Sequence, residues 1–237
     1  MLDLHAANVP YITNDALELY AEDIIRDFKP DLLKYPQSIE VDNFLEFYLG
    51  LQVEYKRLTR ENRLLGMTIF DDGIIQVFNE YTGKAEFLRV SEGTVLIDIS
   101  LTSKRNENRR RFTCMHEGSH WLLHRHSFPK DKWNNEYMVS RKIQTDNSMS
   151  RRERESIRRM ERQADYLAAA ILIPKTTLRM LFRDFCKEWD IIPPRKIIRG
   201  DGGLAFMLAE LTAERYGVSH KAATIRLEKL GAIAGVP

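Results

Sequence analysis

Two histidines and a glutamate form the pentapeptide His116-Glu117-Gly118-Ser119-His120, which has the pattern H-E-x-x-H of two-histidine zinc sites. Residues four apart lie on the same face of a helix, so His116 and His120 can bind one metal ion. Glu117 then lies beside the metal, where its carboxylate can take a proton from a bound water. The pattern indicates a hydrolytic zinc site, but so short a motif also occurs by chance, and the flanking sequence has to decide.

A catalytic zinc ion usually has three protein ligands and a water, so the motif needs one more side chain. His124 continues the stripe, but it lies about 12 Å along the helix axis from His116. With zinc–nitrogen bonds of about 2.1 Å, one ion does not reach both. His126 has the spacing of the metzincin pattern, which requires a glycine at the position that Leu123 occupies.

A glutamate on a later predicted helix is the better third ligand. Glu161 falls within an apolar stripe, between Ile157 and Ala164. A carboxylate that faces a core is costly unless something neutralises it, and zinc would do so. Asp165, one turn later, can accept a hydrogen bond from the second ring nitrogen of a ligating histidine. The sequence therefore predicts one Zn²⁺ per chain with these three ligands: His116, His120 and Glu161.

The sequence does not fix the identity of the metal or of the residue that stabilises the oxyanion. Two histidines and one glutamate suit zinc, but manganese or iron can also occupy such a site. A hydrolytic site needs a second donor for the developing oxyanion. Four side chains are candidates for that role: His124, His126, Tyr137 and Tyr166. Cys114 and Cys186 are interpreted as core residues rather than ligands.

Two blocks of the sequence resemble the ImmA/IrrE metallopeptidases. The first runs from residue 109 to 124 and contains the H-E-x-x-H motif; the second runs from 161 to 174 and has Glu, then Ala-Asp, then an apolar run that ends in Pro. The resemblance implies a gluzincin-like α+β fold with Glu161 as third ligand. It also implies a zinc endopeptidase whose protein substrate is a helix-turn-helix transcriptional repressor.

The chain departs from that family at Met115 and Gly118, where Ala and Leu are more common. Neither residue is a metal ligand. Gly118 weakens the helix by about 1 kcal/mol relative to Ala, and it would leave room near the metal.

Periodicity and turn residues predict the elements that position the site. Four β-rich runs predict a small antiparallel meander: 65–70, 74–78, 85–90 and 94–101. The segment Thr94–Ser100 is either an ordinary structural strand or an edge strand that holds an extended substrate. Helices are predicted at 13–28, 42–49, 109–124, 150–173, 175–189, 204–216 and 219–230, the fourth opened by a capping box.

The predicted organisation is a zinc peptidase domain over residues 1–190, which includes the N-terminal helices, and a helix-turn-helix-like helical segment over 204–237. Pro and Gly residues mark the linker between them. Gly217 and Ser219 provide the turn and the cap of the second C-terminal helix. Three roles are open for this helix pair: packing within the fold, recognition of a repressor protein, or recognition of DNA.

Composition excludes several functions. The 36 basic and 34 acidic residues give a net charge of +2, so no global field attracts nucleic acid or a membrane surface. We expect no signal peptide, no membrane span and a cytoplasmic location. Direct DNA binding is therefore not favoured, although two alternatives remain open: a DNA-binding regulator and a non-proteolytic toxin-type partner, each with a structural zinc site.

Overall fold

The computed structural model describes residues 9–61, 63–127, 150–191, 197–198 and 203–234. These residues form seven α-helices: α1 (Asn14–Phe28), α2 (Val41–Asn43), α3 (Glu107–His124), α4 (Arg151–Leu172), α5 (Lys175–Glu188), α6 (Leu204–Tyr216) and α7 (His220–Lys229). They also form seven strands: β1 (Gln52–Lys56), β2 (Gly66–Thr68), β3 (Gly73–Phe78), β4 (Ala85–Val90), β5 (Thr94–Asp98), β6 (Ile197–Ile198) and β7 (Ile233–Ala234). The α+β class is thereby confirmed. None of the helices within these ranges has the length and apolar composition that a membrane span requires.

The chain divides into two compact units, each built from two segments. Unit 1 consists of residues 1–13 and 41–168, and unit 2 of residues 14–40 and 169–237. The predicted division of the chain at a linker over residues 190–203 stays a prediction.

A three-stranded mixed sheet with the order β1-β5-β2 lies in unit 1. Strand β5 pairs in parallel with β1, where Gln52 lies opposite Thr94, and antiparallel with β2, where Met67 lies opposite Leu96. Both edges of β5 are thus paired, and all five of its residues are buried. The prediction of a small antiparallel meander is wrong in its strand order, because β2 pairs with β5 rather than with β3, although each pair among the four predicted strands is antiparallel. The segment 94–100 does not supply an edge strand. Strand β1 is an additional element: only two of its five residues, Val53 and Tyr55, are apolar or aromatic, and none of the five is fully buried.

The remaining strands of unit 1 form the hairpin β3–β4. Gly73 pairs with Val90 and Phe78 with Ala85, and the turn contains Gly83 at a φ of 65°, where a side chain would be strained. Apolar side chains of the hairpin, the three-stranded sheet and the adjoining loops form one core cluster: Leu58, Met67, Ile69, Ile75, Val77, Val90 and Leu96.

Helix α3 carries the H-E-x-x-H motif and packs against β2 and β5. It begins two residues before the predicted start and ends at His124, as predicted. Its first turns are fixed by Arg110, whose Nη1 donates to Asp42 Oδ1 at 2.7 Å and to Tyr55 Oη at 2.9 Å. The same guanidinium donates through Nη2 to Glu107 Oε1 at 2.9 Å, so the start of the helix is held by a charged network.

Helix α4 carries the second block and opens with the predicted capping box. The backbone N–H of Glu153 donates to Ser150 Oγ at 3.2 Å, and the N–H of Ser150 donates to Glu153 Oε2 at 2.6 Å. Pro174 follows the helix and ends it, because proline cannot continue the backbone hydrogen bonding.

Unit 2 contains α1, α5, α6 and α7, with β6 and β7 paired in parallel. Gly217 ends α6 at a φ of 62°, and Ser219 caps α7 by accepting a hydrogen bond from the N–H of Ala222 at 3.2 Å. Arg226 of α7 is buried, and its guanidinium forms an ion pair with Glu18 of α1. Two helices joined by a glycine turn are thus present, and the helix-turn-helix-like character of this segment stays a prediction. One of the cations of α7, Arg226, points into the unit rather than to solvent.

Candidate metal centre

Helix α3 places His116, His120 and His124 on one face, at successive intervals of four residues. The Nε2 atoms of His116 and His120 lie 3.0 Å apart, with the ring planes nearly perpendicular. Both imidazoles therefore converge on one point through the same ring nitrogen. His120 is fully buried, and only 14% of the His116 side chain is exposed.

Helix α4 adds two carboxylates to this pair. Glu161 Oε2 lies 3.4 Å from His116 Nε2, and Glu161 Oε1 lies 3.6 Å from His120 Nε2. Asp165, one turn later, places Oδ1 2.9 Å from His116 Nδ1, in a close pairing that is not aligned as a standard hydrogen bond. The structure thus brings together both histidines and both acids that the sequence singles out.

The spacing of the three proposed ligands fits a small tetrahedral metal. Ligand atoms of four-coordinate zinc, with bonds of about 2.0–2.1 Å, lie about 3.4 Å from one another. The Nε2 atoms of His116 and His120 lie 3.0 Å apart, and they lie 3.4 and 3.6 Å from two different oxygens of Glu161, Oε2 and Oε1 respectively. These three residues form a group that can hold a metal ion, with all three ligand atoms within 4.8 Å of one another.

The protonation of the two histidines differs because their surroundings differ. Burial lowers the pKa of His116, but the adjacent carboxylates of Asp165 and Glu161 and the nearby charge of Glu117 outweigh it and raise the pKa to about 10. Burial holds the pKa of His120 well below its usual range, and the neighbouring His116 and His124 lower it further. His120 is therefore neutral, with one ring nitrogen free to bind a metal.

Glu117 is 2% exposed, and its carboxylate lies against strand β2. The hydroxyl of Thr68 lies 2.8 Å from Glu117 Oε2 and 2.9 Å from the backbone oxygen of Glu117. Gly66 makes this possible, because a β-carbon there would lie 2.5 Å from Glu117 Oε1. Neither Gly66 nor Thr68 is among the predicted site residues, although a glycine within a β-rich run often marks the close approach of another group.

The glycine inside the motif has a different role from the one expected. A β-carbon at Gly118 would lie 2.6 Å from Leu45 Cδ2 and 3.4 Å from Leu49 Cδ1. The space at Gly118 therefore receives Leu45, which is fully buried, rather than opening toward the metal.

The remaining histidines of the motif region lie outside the ligand group. His124 is buried and contacts His120 and the side chain of Gln163, while His126 is exposed and accepts a hydrogen bond from Arg125 Nε at 3.0 Å. Of the candidate oxyanion donors, Tyr166 is buried and Tyr137 lies outside the described residues.

Cys114 lies in the core, two residues before His116. It is a free, fully buried thiol, and burial raises its pKa to about 12. A protonated thiol in the core is a poor metal ligand, which agrees with its interpretation as a packing residue.

Comparison with known families adds one finding. The family model Peptidase_M78, described as the IrrE N-terminal-like domain, matches residues 98–228, which is more than half of the chain. The match includes α3, α4 and the whole ligand group. No curated protein matches the sequence.

Proposed function

Because the chain belongs to the Peptidase_M78 family of metallopeptidases with an IrrE N-terminal-like domain, we propose that it is a gluzincin-type endopeptidase with His116, His120 and Glu161 as its metal ligands. The observation that carries this proposal is the convergence of these three side chains from two helices, at spacings suited to one small ion. Zinc is the ion we propose, since two imidazoles and a carboxylate are a common catalytic zinc set.

A bound zinc ion supplies Lewis-acid activation of water and of the scissile carbonyl. Glu117 is the proposed general base, which takes the proton of the attacking water and delivers it to the leaving amine. Its carboxylate is held against β2, since the hydroxyl of Thr68 lies 2.8 Å from Oε2 and Gly66 leaves the space that Oε1 occupies. Asp165 is proposed to orient the ring of His116 through Nδ1.

The substrate we propose is a regulatory protein, namely a helix-turn-helix transcriptional repressor. This part rests on the likeness of the two sequence blocks to the ImmA/IrrE peptidases. A peptidase requires a protein substrate, and helices α6 and α7 offer a second surface through which a repressor could be recognised.

The decisive experiment compares the wild type with Glu117→Gln on a purified helix-turn-helix regulator encoded beside this chain. We expect cleavage by the wild type that stops on chelation and returns with Zn²⁺. Glu117→Gln should bind one zinc ion and leave the substrate uncut. Glu155→Gln, an exposed change on α4, is the matched control and should cleave normally. Cleavage by Glu117→Gln at the wild-type rate contradicts the assigned mechanism.

A DNA-binding regulator is the second candidate, favoured by the turn at Gly217 and the cap at Ser219. Against it, Arg226 is buried against Glu18 and does not reach solvent. A gel shift at physiological salt distinguishes the two, since this candidate requires specific DNA binding by the Glu117→Gln protein. A non-proteolytic toxin-type partner, the third possibility, predicts zinc binding without cleavage of any such regulator.

A further inference from the structure

A continuous hydrogen-bond chain extends from His120 away from the ligand group. His120 Nδ1 lies 3.0 Å from His124 Nδ1, and His124 Nε2 lies 3.1 Å from Gln163 Oε1. Gln163 Nε2 donates to the backbone oxygen of Pro10 at 2.8 Å. Three helical side chains and the N-terminal segment are thereby linked, and all of them belong to unit 1.

The donor and the acceptor of each hydrogen bond in this series follow from the last acceptor, the backbone oxygen of Pro10. The oxygen of Pro10 can only accept, so the amide nitrogen of Gln163 must face it, and Gln163 Oε1 faces His124. An amide oxygen also only accepts, so His124 Nε2 must carry the hydrogen. A neutral imidazole has one N–H, which leaves His124 Nδ1 as an acceptor.

The tautomer of His120 is fixed in the same way. Because His124 Nδ1 accepts, His120 Nδ1 must donate, and the lone pair of neutral His120 is left on Nε2. Nε2 is the atom that lies 3.0 Å from His116 Nε2 and 3.6 Å from Glu161 Oε1. Both His120 and His124 have no exposed surface, which disfavours a charged form of either ring.

We propose that Gln163 and His124 are positioning residues, which lock His120 in the tautomer that presents Nε2 to the metal. The anchor is the backbone oxygen of Pro10, which no side-chain substitution removes. This inference rests on the proposed metal site and extends it to residues that bind no metal themselves. Outer-shell partners of ligating histidines commonly change metal affinity by about 10–100-fold.

The first test reads the tautomers without any metal. In the metal-free protein labelled with ¹⁵N-histidine, long-range ¹H–¹⁵N spectra should show His120 protonated at Nδ1 and His124 at Nε2. Gln163→Met keeps the side-chain length but removes the amide, and both rings should then lose this preference. His120 protonated at Nε2 in the wild type, or tautomers unchanged in folded Gln163→Met, overturns the proposal.

The second test measures Zn²⁺ affinity by competition with a chromophoric chelator. Gln163→Met and His124→Leu should each bind Zn²⁺ about 10–100-fold more weakly. His124→Asn restores an acceptor near the position of Nδ1 and should recover part of the loss. Glu155→Gln, an exposed change on the helix that carries Gln163, should leave the affinity unaltered. Circular dichroism checks that each variant is folded. If His124→Leu does not fold, the test uses Gln163→Met alone.

The outcomes separate this inference from the proposed function. A wild-type protein that binds no Zn²⁺ contradicts the proposed function itself. Wild-type binding that Gln163→Met and His124→Leu leave unchanged contradicts only the positioning role of the hydrogen-bond chain.

Discussion

Gly66 of β2 lies directly against the carboxylate of Glu117 on α3. A β-carbon at position 66 would lie 2.5 Å from Glu117 Oε1 and 2.8 Å from both Glu117 Cγ and Thr113 Cγ2. These distances are shorter than any van der Waals contact. The strand can therefore approach the helix this closely only where the side chain is a hydrogen atom.

Gly66→Ala should reduce both stability and peptidase activity. The added methyl group overpacks the contact, so we expect a loss of about 1–3 kcal/mol in the free energy of unfolding, measured by urea denaturation. Activity should fall because the carboxylate of Glu117 is displaced, whereas Zn²⁺ stoichiometry should stay at one. In a Glu117→Ala background the stability loss should shrink; an equal loss in both backgrounds shows that Glu117 is not the cause.

Thr68→Val should lower kcat while leaving metal binding intact. The substitution keeps the shape of the side chain but removes the hydroxyl that lies 2.8 Å from Glu117 Oε2. A hydrogen bond to a buried charged group contributes about 1.5–3 kcal/mol, so we expect kcat to fall by about 10–100-fold. Thr68→Ser retains the hydroxyl and should stay close to the wild type. A normal kcat in Thr68→Val contradicts a role for this contact.

The parts of this molecule that depend on local sequence could be predicted. The start of α4 was predicted because Ser150 and Glu153 satisfy each other's backbone N–H groups, a pattern visible over four residues. Glu161 was singled out because a charged residue within an apolar stripe needs a partner, and the structure places it beside the two histidines. Its role as a ligand stays a prediction.

Contacts between residues distant in sequence could not be predicted. Strand β1 has a short alternation, with Val53 and Tyr55 between polar residues, but nothing local indicates that it pairs with β5, about 40 residues later. Gly66 contacts Glu117 only once β2 has packed on α3. Gln163 similarly meets Pro10 across 153 positions. Propensity and periodicity depend only on residues that are close in sequence, so they do not predict contacts between distant segments.

Removal of a proposed ligand should abolish metal binding, in contrast to removal of the proposed base. His120→Ala deletes one ligand and Glu161→Gln replaces the charged carboxylate by a neutral, weaker amide oxygen, so we expect a loss of Zn²⁺ affinity beyond the about 10–100-fold typical of outer-shell changes. Elemental analysis after dialysis gives the stoichiometry. Glu117→Gln serves as the control and should retain one ion per chain. Full zinc occupancy in Glu161→Gln would show that another residue is the third ligand.

Gly118→Ala should destabilise the protein, although alanine favours a helix by about 1 kcal/mol relative to glycine. The new β-carbon would lie 2.6 Å from Cδ2 of the fully buried Leu45, and overpacking of this kind costs about 1–3 kcal/mol. Urea denaturation gives the net change. Adding Leu45→Ala creates space for the methyl group, so Gly118→Ala should cost less in that background. A gain of stability from Gly118→Ala alone contradicts the close packing described for this position.

Removal of one partner of the buried ion pair of unit 2, Arg226 and Glu18, should strongly destabilise the protein. Arg226 donates through Nη2 to Glu18 Oε2 at 2.8 Å and through Nε to the backbone oxygen of Ile173 at 3.1 Å. Arg226→Met leaves a buried carboxylate without its guanidinium, so we expect a loss of about 3–5 kcal/mol in the free energy of unfolding. Arg26→Met removes an exposed pair with Asp23 and should cost about 1 kcal/mol or less.

The reason for that difference can be tested by replacing both partners of the pair. Glu18→Leu together with Arg226→Met removes both buried charges, and the double variant should be more stable than Arg226→Met alone. This recovery is expected because the cost arises from an unpaired buried charge rather than from the loss of side-chain contacts. If the double variant is less stable than Arg226→Met, the guanidinium stabilises unit 2 mainly through Ile173 and packing, and the ion pair is secondary.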